Sequence, residues 1–518
     1  MLTKSRVYKD LISSSKKDTM SIRRLLFILA LCISVVATIL NFAYLNGIQD
    51  DSGPPLLDPL NEKLPVVKMT KYDDTTQHNR DGKLSEVAGL NCDRYGGPSE
   101  EDAAEMVYWR DIPSDSEFES PFAKAGPDPK YLTFEPDEGG WNNIRMSMET
   151  AVTMAHAMGR ILVLPPRQGM YLLNKDQEKD NNKFTFKDFF PFDYIQSEHP
   201  AVQIISFEEF LEREAMTGHL KDKKTGKVSF PPKNKTNWDS DKKPRGSPLW
   251  QWMRTVATNP KWFFDDCLVA FPKDSSPGGD QRMYDYFNAT QDGLSLRKRL
   301  LSYYDNPTPV DASPKDRLRE LLAHREGLCV YDERRQDAKV FHLMGDNDSG
   351  ARLLVHFYLF LFFEDWKQDL WTKRFVRDHL RYLDEIQCAA ARVVAAMRQK
   401  ARENGDPNGN FDTFHIRRGD FQYKSTRVSA DEIYENTRDV FQENSTIFIA
   451  TDERALDFFE PLRKHYHIYF LKDFQHLLKG LNKNYFGMLD QRIASRGRVF
   501  AGAFFSTFTG YINRCVLL

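Results

Sequence analysis

The chain has 518 residues, 41% of them hydrophobic and 28% charged, with a formal net charge of −2. That length allows a large core and two or three domains, and the near-zero charge excludes the basic field a nucleic-acid partner would need. Six cysteines with no CxxC spacing exclude the common zinc modules.

The first strong signal is the uncharged run from Leu25 to Leu45, LLFILALCISVVATILNFAYL, long enough to cross a bilayer as a helix. Lys16, Lys17, Arg23 and Arg24 precede it and Asp50 and Asp51 follow, so the basic flank stays cytosolic and the body crosses the membrane. The run exceeds the core of a cleaved signal peptide, and no A-x-A site follows it. The expected order is a cytosolic tail (1–24), a single N-terminal transmembrane anchor (25–45) and a stem (46–125) rich in Pro, Asp, Glu, Ser and Gly, onto whose end Tyr108 and Trp109 can pack. The remaining five cysteines, Cys92, Cys267, Cys329, Cys388 and Cys515, then face an oxidising compartment. There they could form up to two disulfides and leave one thiol, with the connectivity open. Sequons at Asn234, Asn288, Asn347 and Asn444 all fall in the same part of the chain.

Tyr131 to Phe134 reads as a strand. EPDEGGWNNIR (Glu135 to Arg145) follows, then an apolar spacing through Ile144, Met148, Val152, Ala155 and Met158 that predicts a helix ended by Gly159. Ile161 to Pro166 is a buried strand stopped by proline. Residues 213–247 form a Lys- and Pro-rich excursion expected at the surface. The apolar run Leu353 to Phe363 is too short to span a membrane and is expected in the core. A helical region covers about 364–402, and DPNGN (Asp406 to Asn410) marks a turn and a domain boundary. Beyond it come a strand (Phe411 to Ile416), a helix opened by the S-x-x-E box Ser429 to Glu432 and running to about Asn444, and a strand (Thr446 to Thr451). A helix (Glu453 to His465), a strand (His467 to Leu471), a helix (Tyr485 to Ser495) and a last strand (Arg498 to Gly502) complete the series. This alternation predicts a doubly wound α/β architecture, with domains at 126–405 and 406–518.

In open parallel sheets ligands bind beyond the carboxyl ends of the strands. The residues there are His415-Ile416-Arg417-Arg418-Gly419-Asp420, then Asp452, then Phe504 to Thr509. Two arginines, a carboxylate, hydroxyls and aromatics along one edge suit a nucleoside diphosphate, whose phosphates arginine forks bind bidentately. Gly139-Gly140, with Asn142 or Asn143 near the helix cap, supplies a facing wall.

EGGWNNIR, FHIRRGD, ATD and FFSTFTGY, in this order, resemble the GDP-fucose fucosyltransferases, especially the protein O-fucosyltransferase-like group, from about Lys130 to the C-terminus. The resemblance implies a GT-B-like fold of two Rossmann-like domains with the donor between them, and inverting transfer of fucose without an essential metal or other cofactor. It implies that Arg417 grips the β-phosphate of GDP and steadies it as it leaves, with Arg418 assisting. His415 (with Ile416 beside it) and Asp452 would contact guanosine, Ser506, Thr507 and Phe508 would wrap the phosphates and base, and Gly139, Gly140, Trp141 and Asn142 would form the donor loop. Glu138 resembles the acceptor base of one branch, though EGGWN carries one extra residue. Only ten residues follow Phe508, so the family's terminal helix is expected to be short or missing.

Other signals compete. Asp239-Ser-Asp241 and Asp346-Asn-Asp348 have the form of Mn²⁺-binding triplets, and Asp346 with Asp348, after an apolar stretch, is the better of the two. Arg418-Gly419-Asp420 spells an adhesion tripeptide, and Cys515-Val-Leu-Leu518 a prenylation box that a non-cytosolic C-terminus forbids. The expectation is therefore a single-pass type II protein of the Golgi or endoplasmic reticulum membrane that moves fucose from GDP-fucose to a protein or glycan hydroxyl. The alternatives are a metal-dependent glycosyltransferase using Asp346 and Asp348, and a non-catalytic nucleotide-sugar- or glycan-binding membrane protein.

Overall fold

The computed structural model describes residues 89–516, except 111, 124–127, 138, 171–172, 174–182, 240–246, 261, 263–266, 291–307, 310, 323–326, 346–360, 420–426 and 505. The expected tail, anchor and first part of the stem lie outside the described residues. Among the described residues, no helix is long and apolar enough to cross a membrane.

Eleven strands among the described residues form three parallel sheets. The first has the order β3-β2-β1-β6, from β1 (Tyr131–Phe134), β2 (Ile161–Leu164), β3 (Ile204–Ser206) and β6 (Val340–Leu343). The second has the order β10-β9-β8-β11, from β8 (Asp412–Ile416), β9 (Thr446–Thr451), β10 (His467–Tyr469) and β11 (Phe500–Gly502). A third, β5-β4-β7, joins β4 (Cys267–Phe271), β5 (Gly327–Val330) and β7 (Leu361–Phe363). The parallel α/β class and the six strands expected from sequence are present. The third sheet was not anticipated, because its strands are short apolar runs without alternation that periodicity cannot separate from other core segments. Of the run expected in the core, β7 is the described part, and it is fully buried.

Both four-stranded sheets reverse their strand order once. The chain steps outward from β1 to β3 and returns to lay β6 on the other side of β1; it steps from β8 to β10 and returns to lay β11 beside β8. Each reversal opens a crevice at the carboxyl ends of the two strands that flank it.

Helices cover the sheets: α1 (Trp141–Ala157), α2 (Trp366–His379), α3 (Asp384–Glu403), α4 (Ala430–Thr437), α5 (Phe486–Ala494) and α6 (Thr507–Val516). α1 ends at Gly159, whose φ is +60° and where a Cβ would stand 2.6 Å from the Ala123 backbone nitrogen. One hydrophobic core runs from Leu132 and Phe134 through α1, α2, α3 and α5 to Phe448 and Ala450, so the described residues fall within a single compact unit.

Four expectations need correction. Residues 89–123 are no loose stem: Cys92 is disulfide-bonded to Cys388, Trp109 lies beneath Arg381 and Tyr108 beneath Arg492, all buried. The Lys-rich excursion is anchored by Leu220 and Trp238, both buried, while Lys221, Lys223, Lys224, Lys227 and Lys233 are exposed as expected. The helix capped by Ser429, whose hydroxyl accepts from the Glu432 N–H at 3.2 Å, stops at Thr437 because Phe441 turns into the core. Residues 453–465 form a 3₁₀ turn (Leu456–Phe459) and a short helix (Glu460–Arg463). Thr451 and Glu453 side chains take the N–H groups of Glu453 and Ala455, which offers the backbone an alternative to a helical start.

Among the described residues, two disulfides, Cys92–Cys388 and Cys267–Cys329, leave Cys515 as a free, buried thiol. Cys515 sits inside α6 at 1% exposure, which also removes it as a prenylation target in the folded chain.

Candidate functional site

The crevice of the second sheet is built where β8 ends. All five residues of β8 are buried, which fixes the strand rigidly before it releases Arg417 and Arg418 at the edge. His415 is 4% exposed; its Nδ1 is 2.7 Å from the Thr509 hydroxyl, and its ring stacks on Phe508 with centroids 4.4 Å apart. Burial, reinforced by the charge of Arg417, pushes its pKa down to about 3, so the imidazole is neutral at physiological pH. The Ile416 carbonyl accepts from the Thr451 hydroxyl at 2.7 Å, tying the ends of β8 and β9 together.

Asp452, just beyond β9, organises both arginines. Its Oδ2 stands 3.2 Å from Arg417 Nε, and its Oδ1 accepts the Arg418 backbone N–H at 2.7 Å. The Arg418 side chain is held by three contacts. It donates to Glu453 at 3.0 Å and to the Val428 carbonyl at 2.9 Å, and its guanidinium lies 3.8 Å over the Phe458 ring. An adhesion reading of residues 418–420 needs a displayed arginine, and this one is engaged; Asp420 lies outside the described residues. At Gly419 a Cβ would stand 2.6 Å from Asp452 Oδ2, so any side chain there would dislodge the carboxylate that sets both arginines.

The crevice of the first sheet lies past β1 and β6. The Gly139 N–H donates to Asp137 at 2.6 Å, and the Gly140 carbonyl accepts the first helical bonds of α1 from Asn143 and Ile144. Glu138 lies outside the described residues. Beneath this loop Glu135 receives two bonds from Arg254, at 2.8 and 2.6 Å, and one from His342 at 3.0 Å. Burial pushes the Glu135 carboxyl up, but the His342 and Arg254 hydrogen bonds outweigh it and hold the pKa at about 2.

Of the loop residues expected to meet a ligand, Trp141 is a core residue. It is 7% exposed, packs against Phe189, and its indole N–H donates to Tyr382 at 3.1 Å. The Tyr382 hydroxyl donates to Gln491 Oε1 at 3.0 Å, and Gln491 Nε2 in turn donates to the Asn142 side-chain Oδ1 at 2.7 Å. These two loop residues therefore fasten α1 to α5. Asn143 reaches the other crevice, its oxygen accepting from the Thr507 hydroxyl at 3.0 Å. Ser506 is almost fully buried, and its carbonyl accepts the Gly510 N–H at the start of α6.

α6, a helix of ten residues, is locked onto α1 by charge. Glu149 is 3% exposed and receives Arg145 at 2.6 Å and Arg514 at 2.9 Å, while Tyr511 lies between the two guanidiniums, 4.1 and 4.9 Å from its ring. Burial raises the Glu149 pKa, but Arg145 and Arg514 outweigh it and hold the carboxylate ionised.

The structure thus gathers His415, Arg417, Arg418 and Asp452 with Thr507, Phe508 and the Asn143 end of the Gly loop. Sequence reasoning missed Glu453, Phe458, Gln491, Tyr382 and the Glu149 cluster. The only signal for any of these was the i,i+4 spacing of Arg145 and Glu149 on one helix face. Asp239 of the first acidic triplet accepts the Arg167 backbone N–H at 2.8 Å, and Asp346 and Asp348 lie outside the described residues.

A family model of the GDP-fucose protein O-fucosyltransferases matches residues 131–516. No curated protein matches the chain by sequence. Among solved structures, POFUT1 in complex with GDP-fucose is 14% identical with a TM-score of 0.33, covering 76% of this chain and 95% of that one. NodZ α-1,6-fucosyltransferase co-crystallised with GDP is 15% identical with a TM-score of 0.33, covering 74% and 91%. The fucosyltransferase NodZ from Bradyrhizobium is 14% identical with a TM-score of 0.33, covering 74% and 92%.

Proposed function

This chain belongs to the GDP-fucose protein O-fucosyltransferase family, and on that footing we propose that it transfers fucose from GDP-fucose, with inversion, to a hydroxyl of a protein or glycan. The observation that carries the reading is the union of two sheet-reversal crevices through the Asn143–Thr507 hydrogen bond, with Arg417 seated on Asp452 at their edge.

Breaking the sugar–phosphate bond develops negative charge on the departing GDP. A guanidinium already oriented by Asp452 meets that charge without reorganising, which favours the transition state over the ground state. Arg418, clamped by Glu453, Val428 and Phe458, holds the loop rather than sweeping the cleft. Neutral His415, stacked on Phe508, offers a ring edge and a flat face to guanine without adding a second charge beside Arg417. Glu138 is the proposed base that takes the acceptor proton, and Arg417 is the proposed counter-charge to the departing GDP in place of a metal. A lumenal location in the Golgi or endoplasmic reticulum, behind the expected anchor, is supported by the two disulfides and by exposed sequon asparagines at 234, 288 and 444.

The test is turnover of a panel of GDP- and UDP-sugars by the full-length chain, with and without a brief exposure to EDTA. GDP-fucose should turn over in both conditions. Turnover of another donor in its place, or GDP binding with no turnover, would reject the reading.

A further inference from the structure

A second group of chemistry-bearing side chains lies apart from the residues assigned to the donor. Glu198 ends the helix Phe192–Glu198, His199 follows it, and His379 ends α2; their ligand atoms all lie within 4.8 Å of one another. The two imidazoles meet with centroids 4.2 Å apart at 64°. His199 is 4% exposed and His379 3%, and neither Nδ1 has a hydrogen-bond partner. A buried nitrogen left unpaired costs about 1–3 kcal/mol, and here two rings that each carry one meet beside a carboxylate.

We propose that Glu198, His199 and His379 form a three-ligand binding site for a zinc-class divalent cation, fastening the Phe192–Glu198 helix to the C-terminal end of α2. Two imidazole nitrogens and one carboxylate are a zinc donor set, with the fourth position left to water on the partly exposed side of Glu198. Tetrahedral ligands stand about 3.3 Å apart, and the three ligand atoms already lie within 4.8 Å of one another. His199 also hydrogen-bonds the Asp115 backbone, the outer-shell contact that fixes the tautomer of a metal-bound imidazole. The nearby cations are offset: Arg377 pairs with Asp378 at 2.5 Å and Arg381 with Asp384 at 2.5 Å. Phe375 packs against both rings, and the helix so fastened begins at Phe192, which stacks on Phe190 and through it reaches Trp141 at the start of α1. The cation would therefore brace the wall behind the Gly loop without taking part in fucose transfer.

The experiment is metal content and thermal unfolding of the purified full-length chain, stripped with a chelator and titrated with ZnCl₂. One zinc per chain should be retained after gel filtration, Tm should rise by several degrees, and Co²⁺ should give the visible absorption of a tetrahedral site. Glu198→Gln, at the partly exposed position, and His379→Gln should each weaken zinc binding at least tenfold. Glu198→Gln should leave GDP-fucose turnover at saturating donor unchanged, which separates this site from the donor reading. No retained zinc at micromolar concentration, or an equal Tm rise in wild type and Glu198→Gln, would overturn the proposal. If His379→Gln does not fold, Glu198→Gln decides alone.

Discussion

Asp452 is ion-paired with Arg417 and accepts the Arg418 backbone N–H, so one carboxylate aims the charge at the edge of β8. Arg417→Ala is expected to lower kcat by about 10²–10³-fold, the usual loss for one preorganised electrostatic group, and to change GDP affinity far less. Parallel measurements of GDP-fucose turnover and GDP binding check this, and equal losses in both would assign Arg417 to ground-state binding. His415 makes a different prediction. Its folded pKa of about 3 lies below the unfolded value of 6.5, so the unfolded chain binds the extra proton. Its contribution is constant above pH 6.5, and stability falls as pH drops from 6.5 toward 3, by up to about 1.4 kcal/mol per pH unit. Buried His156 acts in the same direction, whereas Asp115, raised to about 6 chiefly by burial, opposes them between pH 3.8 and 6. Thermal melts between pH 7.5 and 5 should therefore show falling stability, with a shallower slope in His415→Gln. Arg417, Arg418, His415 and Asp452 were legible in the sequence because strand ends can be located from pattern, and the residues just past them follow by counting. Trp141 was misread because adjacency in a motif does not say which way an indole points.

The terminal helix and the Gly-loop helix act as one element. Glu149 is buried between Arg145 and Arg514, and its removal would leave two cations without their partner. Glu149→Ala is expected to destabilise the fold by about 3–5 kcal/mol, measured by denaturant unfolding. Thr507→Val removes the bond to Asn143 while keeping side-chain size. It should raise KM for GDP-fucose several-fold and leave Tm within a few degrees; an unchanged KM would show that the two crevices do not meet the donor together. Neither contact could be read from sequence, since Glu149 and Arg514 are far apart in the chain and an ionic partner leaves no local pattern. The early end of α4 had a local cause, Phe441, but burial of one aromatic is a tertiary fact that outweighs a good N-cap.

Across the whole molecule, the Cys92–Cys388 disulfide closes the longer of the two loops, with a sequence separation of 296, and holds residues 89–123 against α3. Cys388→Ala is expected to cost about 2–5 kcal/mol, measured as a lower denaturation midpoint under non-reducing conditions; an unchanged midpoint would mean that Trp109, Tyr108 and Met106 hold the segment alone. The sequence by itself determined the parallel α/β class, the six strands with clear boundaries, and the set of groups at their carboxyl ends. Those depend on local backbone preference, turn residues and apolar runs, which act over a few positions. Only the tertiary structure decided that residues 89–123 of the expected stem pack into the core, that a third sheet exists, which cysteines pair, and that α6 closes onto α1. Each of these rests on residues distant in sequence meeting in space, where burial and charge pairing choose among arrangements that local chemistry leaves equal. The arginine edge was written in the chain, and its position against the Gly loop was settled by Asn143, Thr507 and Glu149 coming together in the fold.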